Sequence, residues 1–526
     1  MQPIPAEFPA VCPCRGFCTG AACSSFTLLQ ISATDLADLF GRRKAKADNP
    51  MLFTSLEFLF LFLPIVLAVN YFLPKGARNY WLLLASLFFY AWGEPKFVIF
   101  MLISILFNYL MAYRISDFHS RHSTSGDILA KLFLTLTVIG NLSVLFVYKY
   151  MNFTTSILSK LLPEEEIVVT EFVLPIGISF FTFQALSYVI DVYRGVEVQK
   201  NPAKIGLYIS LFPQLIAGPI VRYTTVQKQI DDRTVTYDSF AKGVFRFVRG
   251  FNKKVLLSNM LAVVADAAWG MPERSVAMAW MGAIGYSLQI FFDFSGYSEM
   301  AIGLGQMLGF QFLENFNFPY IAKTVSEFWR RWHISLGTWF RDYVYFPLGG
   351  SRVSSRGRLI FNLSVVWLLT GIWHGANWTF LVWGALYGAF IIFEKLVNLE
   401  KHMDRWHPVF RVLYRILTLA AVLFGWVIFR SESLGQAGQY ILSMFALTGN
   451  AFSDGQTLFY LRNHIVFFIV GILCSMPLFR YIRTKLGQRM DPVCSWISYI
   501  VQFLLLLCSV SYLVIQAHNP FIYFNF

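Results

Sequence analysis

"MLFTSLEFLFLFLPIVLAVNYFLP" occupies residues 51–74. A run this long and this apolar is a candidate membrane span. Upstream the text is different. Residues 1–50 contain no continuous apolar run, because Asp35 and Asp38 interrupt the best candidate, so neither a signal peptide nor a span is read there. Downstream, apolar segments recur near 79–94, 97–113, 129–149, 171–191, 204–221, 255–269, 276–310, 358–394, 411–429, 436–447, 462–480 and 493–517. The chain is 56% hydrophobic, with 54 Phe, 25 Tyr and 14 Trp, and its mean hydropathy is +0.54. The expected fold is therefore all-α: a polytopic integral membrane bundle of about ten to twelve crossings at roughly 20 residues each. The short alternating segments of a membrane β-barrel are absent.

Two segments contain breaks, at Pro175 and Gly177 and at Pro213, Gly218 and Pro219. Broken helices survive at membrane depth only where protein or a water-filled cavity satisfies the freed backbone. Re-entrant segments and an internal chamber are thus expected. No internal repeat is visible, which weakens a transporter built on inverted repeats.

The formal net charge is +13. The basic residues sit mostly in short segments between apolar runs, as positive-inside topology produces, and nucleic acid is not an expected partner. "FRYIRTKLGQRMD", with Arg480, Arg483, Lys485 and Arg489, and the stretch with Arg352, Arg356 and Arg358 are expected on the cytoplasmic side. In "SFAKGVFRFVRGFNKKVLL", Lys242, Arg246, Arg249 and Lys253 follow helical spacing, with Asp238 or Ser239 as a start cap. This reads as a surface helix whose basic face meets water and anionic lipids.

Cys12, Cys14, Cys18 and Cys23 are spaced C-x-C-x3-C-x4-C, which is not a standard zinc pattern. Residues 1–50 are expected to be a disordered or mis-assigned N-terminal extension, and residues 51–526 the membrane domain.

Of the eight histidines, His119, His122, His402 and His407 lie in polar loops, and His464 and His518 at segment ends. His333, in "WRRWHISL", and His374, in "TGIWHGANWTF", each follow a tryptophan in apolar company. Histidine suits general-base work near neutral pH, and an ionisable group at membrane depth is a functional candidate. No Cys or carboxylate stands at ligand spacing beside either, so acid–base work is favoured over a metal site. Asp293 forms a polar island with Ser295, Tyr297, Ser298 and Glu299, fit to orient a histidine, line a chamber or join helices.

These motifs together resemble the membrane-bound O-acyltransferase (MBOAT) family, in its bacterial alginate O-acetylation branch of AlgI type. The resemblance rests on "LPIGISFFTFQALSYVIDVYRG" (174–195), "FPQLIAGPIVRY" (212–223), "QIFFDFSGYSEMAIGLGQMLGFQFLENFNFPY" (289–320), "EFWRRWHISLGTWFRDYVYFPLGGSR" (327–352), "WHGANWTFLVWGALYG" (373–388) and the closing "FIYFNF". It implies a multi-pass protein of the bacterial inner membrane, a bundle with re-entrant and interfacial helices around a central funnel. Such a protein would carry acetyl groups from a cytoplasmic thioester, acetyl-CoA or an acylated carrier protein, across the membrane. An extracytoplasmic acetyltransferase partner and an exported, alginate-like polysaccharide would receive them. His374 matches the family's principal active-site histidine and His333 its second polar position. Arg330, Arg331 and Arg341 are expected to meet donor phosphates, since guanidinium binds phosphate bidentately. Asp293, Trp332, Trp373 and Asn377 are expected to line the chamber or bind the donor. No bound cofactor or metal is implied. The alternatives are a teichoic-acid, lipid or protein acyltransferase of the same family, or a non-enzymatic polysaccharide export subunit.

Overall fold

The computed structural model describes residues 51–162, 172–487 and 490–515. The expectations for residues 1–50, for the four early cysteines and for "FIYFNF" lie outside the described residues. Among those described there is no β-strand. The principal helices are α1 (Lys75–Gly93), α2 (Phe97–His119), α3 (Thr124–Leu161), α4 (Ile178–Tyr193), α5 (Tyr237–Asn252), α6 (Asn259–Gly270) and α7 (Val276–Leu308). They continue with α8 (Val325–Arg331), α9 (Ile334–Phe340), α10 (Arg356–His374), α11 (Trp378–Leu396), α12 (Pro408–Arg430), α13 (Gly455–Cys474) and α14 (Pro492–Ile515). Six of them, α2, α3, α11, α12, α13 and α14, are long and apolar enough to cross a membrane. Their outward faces expose Leu102, Ile103 and Leu106 on α2 and Ile500, Phe503 and Leu504 on α14. Apolar side chains turned outward in this way suit lipid, and the protein is a multi-pass membrane protein.

The mast of the bundle is α7, whose side chains are almost all buried. From α5 the chain continues through a π-helical turn, Lys253–Ser258, into α6, and this whole length packs along α7. Two glycine pairs permit the approach. A Cβ on Gly243 would lie 2.7 Å from Gly303 O, and one on Gly250 would lie 2.5 Å from Gly296 O. Backbone therefore touches backbone, as small residues allow between membrane helices.

That packing corrects the reading of the basic stripe. Arg246 bonds Glu314 at 2.7 Å, and Arg249 and Lys253 share Glu299, each at 2.7 Å. Three of the four basic residues are thus matched by carboxylates of α7 and the loop after it, while Lys242 stays exposed and pairs with Asp238 of its own helix. Local periodicity shows which residues share a face but not what lies opposite. The start cap is also different: Thr236 accepts from Ser239 N.

The two broken segments meet. Gly177 holds φ +75°, and a Cβ there would lie 2.6 Å from Leu215 O. From this junction α4 starts inward, with nearly every side chain buried. A second close crossing joins α10 and α11, where Gly371 faces Phe380 O and Gly384 faces Trp367 O, both at 2.5 Å from a notional Cβ. The hairpin tip so formed carries His374.

Candidate active site

His374 ends α10, 5% exposed, ringed by Trp373, Trp383 and Phe429 at centroid distances of 5.0, 4.9 and 5.2 Å. Its Nδ1 is buried without a hydrogen-bond partner among the described residues. Buried polar atoms are normally paired, so an unpaired one asks for a function. Asn377 caps α11 by accepting from Thr379 N, and its Nδ2 donates to Glu432 O at 2.8 Å. Those bonds hold the tip just past His374.

The stretch 327–350 is not a span. It folds as α8 and α9, broken at Trp332 and His333, then a π-helical turn at Arg341–Tyr345. Trp332 is buried in an aromatic cluster against Phe328 and Trp426. His333 is 2% exposed and takes a left-handed backbone, φ +45° and ψ +53°. Its Nδ1 lies 3.1 Å from Asn315 Oδ1. Asn315 Oδ1 also accepts from Ser335 N at 3.1 Å and Ser335 Oγ at 2.9 Å, while Asn315 Nδ2 donates to Ser298 Oγ. An amide oxygen only accepts, so the imidazole proton sits on Nδ1 and the free lone pair on Nε2. That Nε2 is also buried and has no partner among the described residues. Asn315 was not singled out by sequence reasoning. It lies 18 residues before His333, and no local pattern marks an asparagine that fixes a distant tautomer.

Trp373 stands between the histidines, 6.0 Å from the His333 ring and 5.0 Å from that of His374. Beside His374 is a cavity of about 90 Å³. Its walls come from both chain breaks (Pro175, Gly177 and Ile216), from Phe180 and Trp373, and from Lys149 of α3.

Asp293, 1% exposed, pairs with Lys254, 3% exposed, at 2.6 Å. It joins the α5–α6 length to α7, and the next residue, Phe294, packs edge-on against His333 at 4.6 Å.

The three arginines expected at the donor separate. Arg330 bonds Glu400, and Arg331 bonds Glu327 at 2.9 Å and Asn317 O at 3.0 Å. Arg341 instead opens into a pocket of about 760 Å³ with Arg194 and Arg222. All three converge on Asp342: Arg222 at 2.6 Å, Arg341 at 2.7 Å, and Arg194 on its carbonyl at 3.0 Å. Burial alone would raise the Asp342 carboxyl, but Arg341 and Arg222 more than offset it and hold it below its ordinary value. Three guanidiniums face two carboxylates in this pocket, Asp342 and Asp191, the latter accepting from Tyr343 Oη at 2.9 Å, which leaves one net positive charge and spare N–H donors. From Tyr343 an unbroken series of rings leads inward: Trp339 at 5.2 Å, then Phe183 at 3.9 Å, then Trp373 at 5.7 Å, then His374.

The family model described as MBOAT, membrane-bound O-acyltransferase family, matches residues 120–431. The chain is 38% identical over 509 residues to the probable alginate O-acetylase AlgI of Azotobacter vinelandii, covering 90% of this chain and 100% of that one. It is 42% identical over 400 residues to its namesake from Pseudomonas aeruginosa, covering 75% of each. The peptidoglycan O-acetyltransferase of Helicobacter pylori is 32% identical over 529 residues, covering 90% of this chain and 98% of that one.

Proposed function

The chain belongs to the membrane-bound O-acyltransferase family, and on that premise we propose that it moves acetyl groups from a cytoplasmic thioester to an exported, alginate-like polysaccharide. The observation that carries this reading is the pair of buried, unpartnered imidazole nitrogens, His374 Nδ1 and His333 Nε2, on either side of Trp373. An export subunit without chemistry would have no use for them. His374 is the general base on the attacking hydroxyl, and such assistance supplies about 10²–10⁴-fold in rate. His333, with its tautomer set by Asn315, positions the acyl carbonyl or the base.

Donor phosphates, of acetyl-CoA or of a carrier's phosphopantetheine, are assigned to Arg194, Arg222 and Arg341. Arg330 and Arg331 are already bonded to Glu400 and Glu327 and keep their helices in place. The acyl end follows the aromatic rings to His374. The membrane is the bacterial inner membrane, and an extracytoplasmic acetyltransferase partner takes the acetyl group onward to the polymer. Similarity to the peptidoglycan enzyme, 32% identical over 90% of this chain, supports a second reading in which peptidoglycan is the acceptor.

The test is the acetyl content of secreted polymer and of peptidoglycan in cells with matched membrane levels of each variant. His374→Ala is expected to lose acetylation of one of them, and His333→Ala to lose nearly as much. His119→Ala and His402→Ala are expected to retain it. Near-normal acetylation by His374→Ala would remove the mechanism.

A further inference from the structure

Lys149 is a half-buried cation that this mechanism leaves unused. From the cavity geometry we infer that Lys149 is a catalytic residue, whose N–H groups hold the oxyanion formed when the acyl carbonyl is attacked. The inference rests on the acyl-transfer reading above.

Three observations converge on it. Lys149 lies in the wall of the roughly 90 Å³ cavity that His374 also lines. Its Nζ donates to Trp373 O at 2.6 Å and stands 5.7 Å from the Trp373 ring centroid, one residue from His374. An ammonium has three donors, so two remain for a guest in the cavity. The residue also sits in a π-helical turn, Phe146–Tyr150, within α3. Such turns re-aim side chains and are frequent at functional sites. Lys149 also lies within a candidate span, where a lysine is costly and rarely lacks a task.

A structural account competes. Tyr150 Oη donates to Ile372 O at 2.8 Å, so Lys149 and Tyr150 together cap the last carbonyls of α10. Capping uses only one of the three Lys149 donors, however, and it does not call for a charge inside a reaction cavity.

The step balances as follows. The acceptor hydroxyl oxygen bonds to the carbonyl carbon, the C=O π pair moves onto the oxygen, and His374 takes the hydroxyl proton. Lys149 donates hydrogen bonds to that oxyanion and transfers no proton. The C=O bond then re-forms, the C–S bond breaks, and the leaving sulfur takes the proton back from His374.

The experiment uses inside-out membrane vesicles bearing the full chain and its secretion machinery. They are fed radiolabelled acetyl-CoA in cytosolic extract, so that a carrier can also be charged. Wild type and His374→Ala come first: transfer by the former alone upholds the underlying reading, whatever Lys149 does. Lys149→Met is then expected to lower kcat about 10²–10³-fold, the range for losing an oxyanion donor, with the donor KM within about threefold. Lys149→Arg is expected to recover part of the rate. Tyr150→Phe, which loses a cap but no charge, should stay within about threefold of wild type. Lys149→Met within tenfold of wild type, or Tyr150→Phe as impaired as Lys149→Met, would overturn the assignment. If Lys149→Met fails to accumulate, Lys149→Ala with added ethylammonium decides. A rate restored by the amine supports the role, and no restoration overturns it.

Discussion

His333 pays for its position in backbone conformation. A non-glycine residue at φ +45° is uncommon, and asparagine tolerates this region far better than a β-branched residue. His333→Asn should therefore insert and fold at wild-type levels while transferring little or no acetyl group. His333→Val should be depleted from the membrane, because the left-handed turn between α8 and α9 cannot form. Immunoblots of membrane fractions beside acetyl assays separate the two. Asn315→Leu removes one acceptor from three donors, and each buried donor left unsatisfied costs about 1–3 kcal/mol. Its expected signature is a lower melting temperature together with a loss of transfer of at least tenfold. At this scale the two histidines stood out as candidates because each follows a tryptophan in apolar text, and both are buried beside Trp373. Asn315, Lys149 and Arg194 were not, since their meaning comes from residues far away in the chain.

Among elements, the α5–α7 seam is where sequence reading stopped short. The basic stripe was visible by its helical spacing, but Glu299 and Glu314, the partners of Arg246, Arg249 and Lys253, lie 46–68 residues further on. Glycines spaced seven apart on both helices, Gly243 with Gly250 and Gly296 with Gly303, become a signal only once the helices are known to be neighbours. Gly250→Val is expected to destabilise the protein by about 1–3 kcal/mol or more, because Gly296 O is backbone and has no room to retreat. Thermal unfolding in detergent, followed by tryptophan fluorescence, measures this. Gly270→Val, at a glycine with open space around it, is the control and should be near neutral.

Across the whole molecule, class and membrane character were legible from hydropathy alone, because lipid demands long apolar helices. The cavity beside His374 was not, since its walls come together only where Gly177 meets the chain at Leu215. Orientation remains a prediction. A cysteine placed at Arg352 should react with an impermeant maleimide only from the cytoplasmic face. Arg222→Glu should raise the donor KM about tenfold or more with a smaller change in kcat, as expected of a residue that grips the donor away from the reacting atoms.

The cavity beside His374 also has a size. At about 90 Å³ it is smaller than the roughly 150 Å³ apolar void that takes up a benzene ring. Its walls, Phe180, Ile216 and Trp373, are themselves packed in the core, and cores resist small displacements. A two-carbon guest fits, whereas a longer chain must push a wall aside. A donor site of this size would discriminate among acyl groups with no specific contact to the chain end, and shaving Ile216 to alanine should then let butyryl donors compete better against acetyl ones.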